Sequence, residues 1–201
     1  MNKNSIIKFF GLTDTEVKKI DWFIEEIKKT NKITNLVGSS TLNNAWDRHI
    51  CDSLQLSPLI KNKKSSILDM GTGAGLPGVA LAILGYTNIT MVDSKTKKIS
   101  FVEHALSKLN LQAKTVNERL ENIDLPYFSF ITSRALAPLN RLINYSLVFS
   151  NKNTTLVFLK GRNVKSEIIE AKKKYFFNYK TQKSKSSGGG VIIIIKDFKK
   201  K

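Results

Sequence analysis

The chain has 201 residues, with 33 Lys and Arg against 16 Asp and Glu, a formal net charge of +17. Hydrophobic residues at 41% and charged residues at 24% match a folded domain, so wholesale disorder is excluded and the length suits one domain with a small extension. The longest purely apolar run, Val191–Ile195, is far too short to span a bilayer, and a single cysteine, Cys51, excludes an internal disulfide.

Residues 13–29 read as an amphipathic helix. Thr13 and Glu16 form a capping box, and Val17, Ile20, Ile24 and Ile27 make one apolar stripe. Residues 31–40 read as a loop. A second helix is expected from about Thr41 to Leu56, ended by Pro58 and the lysines at 61–64. From residue 65 the pattern alternates between strand and helix. Strands are expected at 66–70, 88–93, 114–116, 128–133 and 155–160, with two more at 175–179 and 191–195. Helices are expected near 77–84, 95–109, 138–149 and 164–173. Repeated βα units imply a mostly parallel sheet covered on both faces. The stretch between the last two strands, SKSSGGG, reads as a mobile link. The organisation is therefore one domain over 1–201, with a helical extension at 1–60 and an α/β, Rossmann-like core at 61–201.

The strongest local signal is Leu68-Asp69-Met70-Gly71-Thr72-Gly73-Ala74-Gly75-Leu76-Pro77-Gly78, placed after the first strand and opening a helix. Glycines there permit close ligand approach, and the helix start offers free N–H donors. Asp93 ends the second strand, where a carboxylate can accept ribose hydroxyls. Two cofactors fit. Gly73, Gly75 and Gly78 satisfy the dinucleotide pattern GxGxxG. Gly71, Gly73 and Gly75 with Asp69 also fit the glycine motif of class I methyltransferases, which bind S-adenosylmethionine (SAM). Asp69 favours SAM, because a carboxylate attracts the cationic methionine end and repels a pyrophosphate.

Charge is uneven along the chain. Residues 1–60 carry net +1, residues 61–150 net +5 and residues 151–201 net +11. Such a gradient suggests nucleic-acid contact beside the later strands. The total is less telling: 28 of the 33 basic residues are Lys, a bias that genome composition alone can supply. No two of the four prolines are adjacent, so the Asn/Asp-Pro-Pro-aromatic motif of nucleic-acid amino methyltransferases is absent. Cys51 lies in the N-terminal region and reads as a buried apolar residue, not a pyrimidine-attacking nucleophile. A ring nitrogen such as guanine N7 needs neither device, and catalysis then reduces to positioning and desolvation. No Cys/His pair has metal-ligand spacing, so no metal is expected. The first residues, MNKNSIIKFFG, lack the apolar core of a signal peptide, and a cytoplasmic location is expected.

Several segments together resemble the RsmG (GidB) family, bacterial methyltransferases that modify guanine N7 in small-subunit (16S) ribosomal RNA. They are NKITNL at 31–36, RHICDSL at 48–54, the turn LDMGTGAGLPG, Asp93-Ser94 followed by Lys97-Lys98-Ile99, Ser133-Arg134-Ala135, and Leu159-Lys160-Gly161. The resemblance implies a class I SAM-dependent methyltransferase fold and 16S rRNA or the small ribosomal subunit as partner. It implies a SAM site at Gly71, Gly73, Leu76 and Asp93, with Leu120 and Glu121 flanking the adenine. Arg134 would reach the methionine end or the substrate pocket, and Arg134 and Lys160 are the candidate catalytic residues, holding RNA phosphate or the target base. Plainer roles exist for each: a structural ion pair for Arg134, a solvated lysine for Lys160, and a buried pair docking the extension for His49 and Asp52. The family usually carries charge before its last strand, where this chain has Ser186-Ser187-Gly188-Gly189-Gly190. A monomer is expected. The alternatives are an NAD-dependent oxidoreductase and a non-catalytic RNA-binding protein.

Overall fold

A computed structural model describes residues 1–201. Two helices open the chain, α1 (Lys3–Phe10) and α2 (Asp14–Thr30). Helix α1, which the sequence reading did not assign, is capped by Asn2, whose Oδ1 accepts from Ser5 N, and ended by Gly11 in a left-handed conformation. Thr13 and Glu16 form the expected capping box on α2.

The next segment departs from the expected α-helix. A 3₁₀ turn (Ser39–Asn44) runs into a π-helical turn (Trp46–Cys51) and then a short α3 (Asp52–Leu54). In a π turn the bonds run from residue i to i+5, so residues five apart sit on one side. Asp47 and Asp52 therefore face the same neighbour. A 3.6-residue pattern would have separated them.

Seven strands follow: β1 (Ile67–Met70), β2 (Ile89–Val92), β3 (Lys114–Val116), β4 (Phe130–Arg134), β5 (Thr155–Lys160), β6 (Tyr175–Lys183) and β7 (Val191–Lys200). They form one sheet in the order β3-β2-β1-β4-β5-β7-β6. The first five are parallel, and β7 inserts antiparallel between β5 and β6. Helices α4 (Gly78–Ile83), α5 (Thr96–Lys108), α6 (Leu139–Val148) and α7 (Val164–Lys174) connect them.

Strand side chains alternate between two cores. Ile67, Ile89, Met91, Val157, Leu159 and Ile192 face one side. Leu68, Met70, Val92, Ile131, Phe158 and Ile193 face the other, under α6 and α7. The first core also contains Ile6, Ile20, Phe23, Ile24 and Ile27 from the extension, together with Leu81 of α4 and Val102 of α5. The N-terminal helices are thus a layer of the sheet packing. Phe23 is fully buried and stacks on Phe101 at 6.1 Å between ring centroids.

Polar ties fix the 39–54 segment over the carboxyl ends of the strands. Arg134, at the end of β4, donates through NH1 to His49 Nδ1 at 3.0 Å. Arginine only donates, so Nδ1 must accept and the proton sits on Nε2. That Nε2–H meets Thr41 Oγ1 at 2.8 Å, and Thr41 Oγ1 donates to the Gly38 carbonyl at 2.6 Å. The chain is satisfied only with neutral imidazole. Burial, first, and the charges of Arg134 and Arg48 push the His49 pKa down to about 3. His49 and Asp52 each dock the segment, but with different partners. The SKSSGGG link, expected to be mobile, is pinned by the same segment. Ser184 and Ser186 hydroxyls donate to Asp52 Oδ1 at 2.8 and 3.1 Å, and Ser187 N donates to Asp47 Oδ2 at 2.9 Å.

Replacing Phe23 by Ala should cost about 3–5 kcal/mol, because the cavity opens between two layers. A lower urea midpoint at unchanged slope would show it; an unchanged midpoint would refute it. His49 gives a pH prediction. Its folded pKa is depressed, so its contribution is complete above about 6.5 and is lost as pH falls toward 3. Asp69 acts oppositely: buried and raised to about 6, it favours the fold at low pH and loses that contribution as pH rises through 6. The stability difference between wild type and His49→Gln isolates the first effect. It should shrink as pH drops from 6.5 toward 3, and a flat difference would contradict it.

Candidate active site

Because β1, β2, β4 and β5 are parallel and in register, their carboxyl ends align. Arg134 pairs with Leu159, the neighbour of Lys160, and Met70 pairs with Ser133 and Val92. A groove of about 760 Å³ opens there. The glycine turn forms one wall, through Gly71, Gly73, Ala74 and Leu76. Asp93, Lys95 and Lys98 form another, and Arg134, Leu136 and Lys160 a third. The 35–52 segment and the 186–190 loop close the rim. A smaller compartment of about 150 Å³ adjoins it, lined by Leu120, Glu121, Arg141 and Tyr145. Gly71, Asp93 and Leu136 border both.

The turn is held from beneath. Asp69 is fully buried in β1 and does not face the groove. Its Oδ2 accepts from Thr72 Oγ1 at 2.6 Å and from Gly78 N at 3.0 Å, and its Oδ1 accepts from Thr132 Oγ1 at 3.3 Å. The sequence-based role of Asp69 as a partner for a cationic ligand is therefore corrected: its carboxylate braces the turn. Gly78 must be bare for this, since a methyl group there would lie 2.5 Å from Met91 Sδ and 2.9 Å from Asp69 Oδ2. Gly71 is constrained from above: its φ is +66°, and a methyl group would lie 2.6 Å from Leu136 Cδ1.

Asp93 follows β2. Its Oδ2 accepts from Gly73 N at 3.0 Å and its Oδ1 from Lys95 N at 2.9 Å, so the carboxylate is fixed against the turn with lone pairs left for the groove. Leu120 is half-buried in the smaller compartment, while Glu121 is exposed and accepts from Tyr145 OH at 3.0 Å. Arg134 projects into the groove beside His49. Lys160 also lines it, but its ammonium is engaged: it lies 2.6 Å from Glu167 Oε2 and donates to the Ala137 carbonyl at 2.9 Å. Glu167 in turn accepts from Leu139 N at 2.7 Å. The structure thus brings Gly71, Gly73, Leu76, Asp93, Arg134 and Lys160 to one groove and Leu120 and Glu121 to its annex.

Sequence reading missed Leu136, Lys98 and the Tyr145–Arg141 pair. Leu136 had a usable signal, two residues past a strand end. Tyr145 and Arg141 had none, because they reach the annex from the exposed side of α6.

Comparison with known proteins bears on this groove. The model of the family described as GidB, rRNA small subunit methyltransferase G, matches residues 16–192. A protein of Rickettsia rickettsii (strain Sheila Smith) named ribosomal RNA small subunit methyltransferase G is 38% identical over 163 residues, covering 81% of this chain and 84% of the relative. Among solved structures, the fold resembles tRNA (m1A58) methyltransferase TrmI from Aquifex aeolicus, with a TM-score of 0.60 at 16% identity over 75% of this chain and 68% of that one. It also resembles magnesium protoporphyrin IX methyltransferase from Synechocystis PCC 6803 with bound SAM, with a TM-score of 0.60 at 10% identity over 92% and 97% of the two chains. The fold is that of class I SAM-dependent methyltransferases, and by sequence the chain belongs to the rRNA small subunit methyltransferase G family.

Proposed function

We propose that this protein transfers a methyl group from SAM to N7 of one guanine in 16S rRNA, acting on the small ribosomal subunit in the cytoplasm. The observation that carries the reading is a single groove with a glycine turn and a ribose-ready carboxylate on one side and a guanidinium on the other, in a chain of this family. SAM supplies an electrophilic methyl group that a ring-nitrogen lone pair takes without loss of a proton.

The residues fit that cofactor. Gly71 leaves the backbone bare where a side chain would fill the space under Leu136. Gly71, Gly73 and Leu76 line the turn along which the methionine end would lie. Asp93 stands where a ribose diol would be bound. Leu120 and Glu121 frame the annex, sized for an adenine ring. Arg134 faces the space left for the reacting groups. Its charge is oriented by neutral His49, which accepts a hydrogen bond and cannot compete for one. Lys160 holds the Ala137 carbonyl, which fixes the 135–138 segment beside that space, so its role here is to position. No general base is required, in keeping with N7 as acceptor.

Small subunits from a strain lacking the modification, incubated with the protein and SAM, should gain one N7-methylguanine by mass spectrometry. SAM binding without gain of that base would overturn the target assignment. Asp93→Asn should weaken SAM binding roughly tenfold by calorimetry, a loss of about 1.4 kcal/mol from the charged ribose contact; undiminished binding would remove Asp93 from the cofactor site. Arg134→Ala should lower turnover on the order of a hundredfold through misplacement of the reacting groups, with a much smaller loss of subunit affinity. Equal losses in both would make Arg134 a binding residue only.

A further inference from the structure

Three of the five arginines, Arg48, Arg119 and Arg162, have guanidinia with no protein partner, and two of them meet on one loop. Neither the Arg48 nor the Arg162 guanidinium has a hydrogen bond or ion pair to a protein group, whereas Arg134 and Arg141 bond through theirs. Arg48 is half-buried on the π turn, and Arg162 is exposed just after β5. They come from two different parts of the chain, the π turn and the segment after β5, and meet on the same loop. A methyl group on Gly188 would lie 2.7 Å from Arg48 Cζ, and one on Gly189 would lie 3.0 Å from Arg162 Nε. Both guanidinia therefore rest on bare glycine backbone, and a side chain at either glycine would push the guanidinium aside. The loop is rigid where they rest, because Ser184, Ser186 and Ser187 are tied to Asp52 and Asp47.

Position gives this pair a purpose. Arg48, Gly188 and Gly190 line the groove rim. A guanine seated in the groove must leave its ribose and flanking phosphates at that rim. The two carboxylates nearest the loop, Asp47 and Asp52, are occupied by the serine hydroxyls and amides and by Gln55. Free guanidinia seated on adjacent residues of one loop, with their donors unspent, are suited to phosphate oxygens, which they meet through paired charge-assisted bonds.

We infer that Arg48 and Arg162, seated on Gly188-Gly189, form a clamp for the rRNA phosphates that flank the target guanine. The inference rests on the proposed rRNA reading and adds the backbone-gripping residues to it. Ser186 to Gly190 carry no charge of their own, so beside Lys185 the positive charge at this loop comes from flanking elements, and the glycines make room for it.

The test uses the full-length protein and unmodified small subunits, with subunit affinity measured across a series of salt concentrations. Arg48→Gln and Arg162→Gln should each weaken affinity about tenfold and lower the slope of log affinity against log salt by roughly one, the signature of one lost phosphate contact. SAM affinity should be unchanged. Arg48→Lys should keep the salt slope, since the charge remains. Gly188→Ala should reproduce the Arg48→Gln loss by displacing the guanidinium. Lys18→Gln, an equal charge change on the exposed face of α2, should leave the slope as in wild type. A wild-type slope in both Arg→Gln variants overturns the clamp, as does a loss of SAM binding in step with subunit affinity. Absence of methylation by the wild-type protein would instead overturn the rRNA reading itself.

Discussion

The groove exists because a carboxylate is buried beneath it. Asp69 gives up its hydration entirely, and the desolvation is strong enough to raise its pKa to about 6. Hydrogen bonds from Thr72, Thr132 and the Gly78 amide offset that cost. Those three donors belong to the turn, to β4 and to the first residue of α4. One side chain thereby joins the central pair of strands to the turn and to the helix that follows. If the turn were free, Gly71 would not stay under Leu136 and Gly73 N would not meet Asp93. The cofactor wall is therefore braced from within the sheet, and its outer surface is left for ligand.

The opposite wall depends on a second buried network. His49 must stay neutral to accept from Arg134, and its surroundings keep it so. Arg134 in turn feels Asp52 and Asp69, which favour its charge against burial. The N-terminal segment thus both covers the strand ends and orients the Arg134 guanidinium that lines the groove. The π turn makes this possible. It puts Asp47 and Asp52 on the side of the 184–187 loop while His49 turns toward β4. Irregular helix geometry is costly and short-lived in sequence terms, and it persists here where three elements meet.

Much of this was legible in the sequence, for identifiable reasons. The βα rhythm and the short apolar runs carried the sheet, since β1, β2 and β5 bury both faces. The glycine turn carried the cofactor wall, because those backbone angles and close approaches restrict residue choice locally. What the sequence hid was non-local or off-period. The π turn breaks the 3.6 pattern, so Thr41–Leu56 read as one α-helix. The serines of the SKSSGGG link read as a flexible linker, yet they find carboxylates more than 130 residues away. Lys160 read as a free cation at a strand end, and only the fold reveals Glu167 beside it.

Charge distribution shows the same limit most sharply. The basic gradient pointed to the last quarter of the chain, and the sheet register redistributes it. Strand β7 runs antiparallel to β5, so Ile195 lies opposite Leu156, near the start of β5. Lys196, Lys199 and Lys200 lie beyond it, at the end of the sheet away from the groove, and Lys199 and Lys201 rest over the exposed Phe176 ring. These lysines, part of the gradient, therefore lie away from the groove. The cations that line the groove are Arg48, Lys95, Lys98, Arg134 and Lys160, and of these only Lys160 comes from the last quarter of the chain. Lysine composition can drift with the genome at little structural cost, because a solvated ammonium needs no seat. An arginine that rests on a bare glycine needs both residues at once, so position, not total charge, is what the proposed RNA contact depends on.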